Sequence, residues 1–325
     1  MNEVDLTVVM VSYNTKELLK RSLKSIYENV KKISFEIIVV DNGSSDNSVK
    51  VIRKEFPQVK LIENRENLGF ARANNQAIKQ SRARYFLLFN PDASLKANSP
   101  YEMIKFMDNH PEVGILGCKI LNTDGTIQPS NSNFPSLFTE FLRVFQLKKL
   151  IPGVRAREKI GEKWSGMLGS TLREYLRVYW DSERIRKVDW VTGACLLVRR
   201  KAMEDVGLLD EDFFMYYEDA DWCYRMQEKD WKTYYFPFFE VVHYVGKSDS
   251  RFNPRTFIER HKSMYHYFRK HKGKKAVSLL RLFIFGGLAL RWVGLAVIYS
   301  FGGKKRVELR KRLYAYLKVI EVKGF

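Results

Sequence analysis

The sequence predicts an α/β domain with a mainly parallel central sheet, followed by a basic helical extension. Three observations predict it. Short β-branched runs alternate with helical periodicity from Leu6 to Phe89, polar clusters close several of those runs, and the excess positive charge is confined to the last quarter of the chain.

Leu6 to Ser12 is a β-branched run of the kind buried on both faces of a parallel sheet. Leu18, Leu19, Leu23, Ile26, Tyr27 and Val30 then recur at helical spacing. Phe35 to Val40 reads as a second strand, ended by the turn cluster Asp41-Asn-Gly-Ser-Ser-Asp46, in which Ser45 or Asp46 can cap a helix. Val59 to Ile62 is a third strand, Phe70 to Lys79 a helix and Tyr85 to Phe89 a fourth strand. Strand and helix alternating at this spacing make crossover units of a parallel sheet, whose ligands sit beyond the carboxyl ends of the strands. Tyr13-Asn14, Asp41 to Asp46 and Asn90-Pro91-Asp92 all fall at those ends.

From residue 122 to 187 the alternation fades into prolines, bases and exposed-looking aromatics (Phe138, Phe141, Trp164, Tyr175, Trp180), read as an insertion of irregular structure and short helices. Order returns with a strand-like run from Val188 to Arg199, a helix beginning at Glu218 and a strand from Thr233 to Phe236. Residues 1–248 are therefore expected to form the α/β domain and 249–325 the helical extension.

The chain has 325 residues, 45% of them apolar and 29% charged, which excludes disorder, collagen and coiled coil as whole-chain readings. Its three cysteines are far apart with no CxxC, which fits a reducing compartment and argues against a disulfide scaffold or structural zinc. Met1 to Asp5 holds two acids and no base, and the apolar run that follows is too short for a secretory signal, so a cytoplasmic protein is expected. Of the net charge of +19, the stretch from Lys247 to Phe325 carries 20 Lys/Arg against 4 Asp/Glu. Such a tail binds polyanions, either nucleic acid or an anionic membrane surface.

Within it, 276–301 is apolar apart from Ser278, Arg281, Arg291 and Ser300. Its uninterrupted apolar runs, Leu282 to Leu290 and Trp292 to Tyr299, fall short of the ~20 residues a span requires. Burying Arg291 in a bilayer would cost about 2.5–3.5 kcal/mol. A helix lying in the membrane plane, flanked by Lys/Arg clusters, is the expectation, with a span, a re-entrant segment or a helix packed on the body as the alternatives.

Several side chains carry chemistry. Asp41 at a strand end could accept a hydrogen bond from a nucleotide base, whereas Asp46 is equally a helix cap. Asn90-Pro91-Asp92 places a carboxylate where a divalent cation bridging phosphates would need one. Glu218, Asp219 and Asp221 put three carboxylates in four residues, which raises at least one pKa and suits a general base, although an acidic helix start has the same pattern. His243 gains interest only if it faces Asp92.

Taken together these segments resemble the family 2 glycosyltransferases of GT-A fold, and within them the rhamnosyltransferase-like branch that builds bacterial surface polysaccharides. The resemblance rests on Val11-Ser-Tyr-Asn14, Val40 to Asp46, Glu66 to Asn75, Leu88 to Ala93, Trp190 to Ala194, Gly207 to Phe214, Tyr217 to Asp221 through Arg225, and His243 to Ser248, which run in the family's order. It implies an inverting transferase that moves a sugar from a nucleotide-sugar to an acceptor hydroxyl, and the basic, apolar tail suggests a lipid-linked glycan at the membrane surface as that acceptor. Tyr13, Asn14 and Asp41 would line the nucleotide site, Asn67 and Arg72 would hold the nucleotide-sugar, and Asn90 and Asp92 stand at the DxD position. Asp92 and His243 would bind Mg²⁺ or Mn²⁺. Asp219 would be the base, with Glu218 and Asp221 beside it. Asn90 replaces the first acid of DxD, and Ala73-Asn74-Asn75 stands where many relatives have Ala-Arg-Asn, removing an arginine contact to phosphate. The branch favours dTDP-rhamnose, with UDP-hexoses or galactofuranose as alternatives, and 122–187 would shape the acceptor side.

Rival classes fare worse. A nucleotidyltransferase needs a Gly-rich, lysine-bearing loop near the N-terminus and a dinucleotide oxidoreductase needs GxGxxG after the first strand; neither is present. A non-enzymatic polyanion binder would use the tail but leave the carboxylates idle, so nucleic acid is not expected as a partner.

Overall fold

A computed structural model describes residues 4–96, 100–145, 183–244, 252–300 and 306–322, with side chains of 293–300 and 306–309 excluded. The chain forms two compact units, one of Met1–Phe134, Glu158–Glu211 and Glu218–Val245, the other of Pro135–Arg157, Asp212–Tyr217 and Gly246–Phe325. The second unit is more than the basic tail, since it draws in short stretches from the insertion and from the segment before Glu218.

In the first unit β1 (Leu6–Ser12), β2 (Phe35–Asp41), β3 (Lys60–Glu63) and β4 (Tyr85–Phe89) pair in parallel in the order β3-β2-β1-β4. Helices α1 (Lys16–Asn29), α2 (Ser48–Glu55) and α3 (Phe70–Lys79) make the crossovers. Val8, Val9, Ile38, Val39 and Leu87 are fully or almost fully buried, because both faces of these strands are covered. Asp46 does not cap α2 in the expected way. Asn47, in the left-handed region at φ 68°, holds that position without a side-chain bond, while Asp46 accepts from the backbone N–H of Lys16 and of Ser48.

Beyond β4 the sheet continues as β11 (Cys195–Arg199), β6 (Val113–Leu121), β12 (Lys232–His243) and β5 (Ala93–Leu95). β11 runs antiparallel between β4 and β6, and β12 returns parallel to β6. The fold is thus α/β with a mixed sheet whose parallel half is the predicted one. The expected strand 188–199 is divided: β10 (Trp190–Val191) pairs with β8 (Asn131–Ser132), and only β11 enters the main sheet. The break is the Thr192-Gly193-Ala194 turn, which the site uses. The 2-residue β7 (Ile127–Gln128) pairs with β6, and β9 (Arg186–Lys187) with β12. Helices α4 (Tyr101–Asn109) and α6 (Arg200–Val206) cover the sheet, and α7 (Glu218–Glu228) carries the acidic cluster.

At Gly117 on β6 an added Cβ would lie 2.5 Å from Val191. Gly117→Ala is therefore expected to cost about 1–3 kcal/mol, read as a lower urea midpoint at unchanged m-value.

The second unit contains α5 (Leu137–Val144), α8 (Pro254–Ser300) and α9 (Arg306–Glu321). Ser136 and Thr139 form a reciprocal capping box at the start of α5. Phe138 and Phe141 on this helix are exposed, as expected, whereas Trp164, Tyr175 and Trp180 lie outside the described residues. Gly273, at φ 81°, divides α8 into two helical segments. No helix among the described residues is long and apolar enough to cross a membrane.

Candidate functional site

Two loops meet first. The residue after β1, Tyr13, is 44% exposed, and Asn14 adopts the left-handed conformation at φ 54°. Asn14 donates its backbone N–H to Ser44 Oγ at 2.9 Å and accepts from the Ser45 N–H at 2.8 Å. Its side chain therefore clamps the loop after β2 to the end of β1. In that loop Gly43 sits at φ 78°, where a Cβ would approach the Arg65 carbonyl to 3.1 Å.

Asp41, 2% exposed, accepts the Ser44 N–H at 2.8 Å through Oδ2, while its Oδ1 is buried with no hydrogen-bond partner among the described residues. A buried carboxylate oxygen left unpaired costs about 1–3 kcal/mol or more, so its persistence at a strand end marks a place for a donor from a ligand. Asn42 extends the clamp. It donates to the Gly69 carbonyl at 3.1 Å and accepts from Asn64 at 2.8 Å, tying the β2 loop to the start of α3. Asn67 is committed to the same turn, accepting the Gly69 N–H at 3.0 Å. Arg72 is half-exposed on α3 and lies 3.7 Å from Glu211. Asn75 turns inward, binding the backbone of Leu209 in both directions.

The end of β4 is tied to the turn before β11 through Asn90, whose N–H donates to the Ala194 carbonyl at 3.0 Å. One residue earlier, the Gly193 N–H donates to Asp219 Oδ2 at 2.9 Å. These two bonds bring the carboxylate at the start of α7 beside the end of the parallel sheet. Gly193 also abuts Phe70 at the head of α3, where an added Cβ would come within 3.3 Å of the ring.

Asp219 Oδ1 accepts the Ala220 N–H at 2.8 Å. Burial pushes its pKa up to about 6, against the backbone N–H groups that favour the charged form. Glu218 is held far above the ordinary carboxylate range, by burial first and then by the charge of Asp219, and its Oε2 has no partner among the described residues. Asp221 is placed otherwise. It is fully buried and bound to Arg225 at 2.8 Å, and Arg225 in turn donates to the carbonyls of Val206 and Leu208. That pairing makes Asp221 a strut for the preceding loop, so of the three carboxylates Asp219 and Glu218 are the ones outside an ion pair among the described residues.

Across the sheet, His243 at the end of β12 opposes Ala93 in β5, which brings Asp92 to it. His243 Nε2 lies 3.0 Å from Asp92 Oδ1, and Nδ1 lies 3.3 Å from Gln128 Oε1. Two cis ligands at about 2.1 Å from an octahedral cation are about 3.0 Å apart, so this carboxylate–imidazole pair has the spacing of two neighbouring ligands. Gln128 supplies what a ligating histidine ordinarily has, a partner on its other ring nitrogen. It escapes sequence reading because a lone glutamine on so short a strand carries no periodic or motif signal.

Known proteins resemble the chain in sequence and in fold. The family model "Glycosyl transferase family 2" matches residues 7–161. An N-acetylglucosaminyl-diphospho-decaprenol L-rhamnosyltransferase of Mycobacterium tuberculosis is 29% identical over 297 residues, covering 88% of this chain and 91% of its own length. The rhamnosyltransferase WbbL of Escherichia coli is 25% identical over 273 residues, 82% of this chain and 93% of its own. Among solved structures, the mannosyltransferase PcManGT of Pyrobaculum calidifontis, in complex with GDP-Man and Mn²⁺, superposes with a TM-score of 0.56 at 17% identity, covering 100% of this chain and 89% of that one. With motifs, fold and relatives covered over nine tenths of their length in agreement, the chain is a glycosyltransferase of GT-A fold similar to family 2 and, within it, to the rhamnosyltransferase-like branch.

Proposed function

We propose that the protein transfers rhamnose from dTDP-rhamnose to a hydroxyl of a sugar carried on a polyprenyl diphosphate, with inversion at the anomeric carbon. One observation carries the reading: the bonds Asn90 N–H to Ala194 O and Gly193 N–H to Asp219 Oδ2, which set a buried carboxylate of raised pKa beside the strand end that bears Asp92. The sugar and the lipid-linked acceptor are supported by the names of the relatives, a rhamnosyltransferase acting on a decaprenol-linked sugar and a second rhamnosyltransferase.

Asp219 takes the proton of the acceptor hydroxyl as its oxygen bonds to the anomeric carbon. The glycosyl–phosphate bond breaks at the same time, and the pair of electrons leaves with the nucleoside diphosphate. A carboxylate with a pKa near 6 is largely ionised at neutral pH and yet basic enough to assist. Asp41 Oδ1 accepts from the nucleobase and Tyr13, exposed beside it, lies along the base. Asn14 and Asn67 keep the two loops in place, and Arg72 reaches the diphosphate. Glu218, neutral because it is buried next to Asp219, keeps a second negative charge away from the base. Asp92 and His243 would hold a divalent cation, with Asn90 as a neutral neighbour. The chemistry that such a cation would supply there is neutralisation of charge on the leaving diphosphate.

The deciding experiment measures nucleoside diphosphate release across dTDP-rhamnose, UDP-galactofuranose and UDP-hexoses, with a polyprenyl-diphosphate-linked sugar as acceptor. Release confined to a UDP-sugar overturns the donor assignment, and release unaffected by the acceptor overturns the transfer reading. A smaller effect concerns Gln128. Gln128→Ala is expected to weaken Mn²⁺ binding by about 10-fold, because Nδ1 of His243 loses the partner that orients the ring. Titration by electron paramagnetic resonance reads that affinity without turnover.

A further inference from the structure

After Gly273, helix α8 presents two unlike faces. Val277, Leu280, Ile284 and Leu288 are buried within the second unit, and Gly287 allows close approach, since a Cβ there would meet Val144 at 2.2 Å. The opposite face carries Leu279, Leu282, Phe285, Leu290 and Trp292, which are 40%, 64%, 57%, 65% and 53% exposed. At about 100° per residue Arg281 and Arg291 fall within one polar arc of the helix, which leaves most of the remaining circumference apolar. The structure turns both inward: Arg281 donates to the Val322 carbonyl at 2.7 Å and Arg291 to the Val144 carbonyl at 2.6 Å. With the arginines capping backbone carbonyls, the outward face is uncharged from residue 276 to Trp292.

Exposed positive charge gathers at the N-terminal end of that face. Lys270, Lys272, Lys274 and Lys275 are all exposed there, and no acidic residue occurs between Glu259 and Glu308. Contiguous apolar surface of this kind is uncommon on a monomer and marks a contact. Pairing with a second copy would set one acid-free, lysine-rich segment against another with no countercharge. An anionic bilayer satisfies both halves of the pattern, since headgroups pair with the lysines and the acyl boundary receives the leucines, Phe285 and Trp292.

We propose that this face of α8 docks on an anionic phospholipid surface, with the apolar row inserted in the plane of the interface and the lysine cluster on the headgroups. The assignment extends the reading of a lipid-linked acceptor by naming the surface through which the protein reaches it. Its evidence is independent of the donor or the sugar.

The test is flotation of the full chain with vesicles of phosphatidylcholine alone or mixed with phosphatidylglycerol. Binding to the mixed vesicles is expected, with partition falling at least about tenfold on pure phosphatidylcholine, in Leu282→Glu/Phe285→Glu and in Lys274→Glu/Lys275→Glu. These side chains point to solvent, so donor binding by the variants is expected to stay unchanged and reports that they are folded. Quenching of tryptophan emission by brominated lipid, relieved in Trp292→Ser, gives a second readout. Equal binding by the Leu282→Glu/Phe285→Glu protein, or no vesicle binding by the wild type, overturns the proposal. So does a concentration-dependent dimer that the same substitutions dissolve without any vesicle binding. A failed donor screen with intact vesicle binding would instead fall on the proposed function.

Discussion

Asp219→Asn is expected to lower the transfer rate by about 10²–10⁴-fold while leaving donor affinity within a few fold, because the carboxylate removes a proton rather than holding the donor. The asparagine keeps the size of the side chain and can still accept one of the two backbone N–H groups, from Gly193 and Ala220, that fix it. Single-turnover transfer, measured beside equilibrium donor binding, separates the two effects. Transfer at near wild-type rate would move the base to Glu218, since Asp221 is bound to Arg225.

The same group sets an acid limb. Ionised Asp219 is the active form, so kcat/KM is expected to fall as pH drops through about 6, and that limb should vanish from the residual rate of Asp219→Asn. The sign for stability is opposite. The carboxyl ionises near 3.8 in the unfolded chain and near 6 in the folded one, so its contribution to folding is complete below 3.8 and is lost as pH rises through about 6. The protein thus gives up stability at the pH where the base becomes competent.

Removing the metal site is the second large effect. EDTA is expected to weaken donor binding, and Asp92→Ala and His243→Ala are each expected to lower Mn²⁺ affinity by more than the roughly 10–100-fold typical of losing an outer partner. Isothermal titration of the nucleotide with and without Mn²⁺ reads this directly. Equal donor affinity in EDTA and in Mn²⁺ would remove the cation from the reaction. Asn90 offers only a neutral oxygen where a second carboxylate would stand, so Asn90→Asp is expected to tighten the metal.

The parallel half of the sheet was legible because its strands are buried on both faces. Continuous apolar runs such as Leu6 to Ser12 and Tyr85 to Phe89 have one structural meaning when helical periodicity separates them. Strand β6 is just as buried, yet Gly114 and Gly117 weaken its β-branched signature, and the space for those glycines is defined by Trp231 and Val191, far away in sequence. β11 and β10 read as one run because a turn inside an apolar stretch leaves little local trace.

The sequence by itself determined which residues stand at strand ends and which are acidic in a row, since both follow from local pattern. It therefore pointed to Asp41, to Asp92 and to the cluster of Glu218, Asp219 and Asp221, and the family resemblance singled out Asp219 within that cluster. Only the tertiary structure decided how residues of one kind divide their work. Asp221 is neutralised by Arg225, Asp219 is held by the Gly193 turn, and Gln128 reaches His243 from a short strand on β6. Arg281 and Arg291 are polar by type and inward by placement, each bound to a backbone carbonyl, which leaves the outer face of α8 uncharged up to Trp292. The physical reason is common to all of these. Hydrophobic periodicity is written along the chain, whereas hydrogen bonds and ion pairs depend on which distant segments meet, and burial makes each such partner decisive.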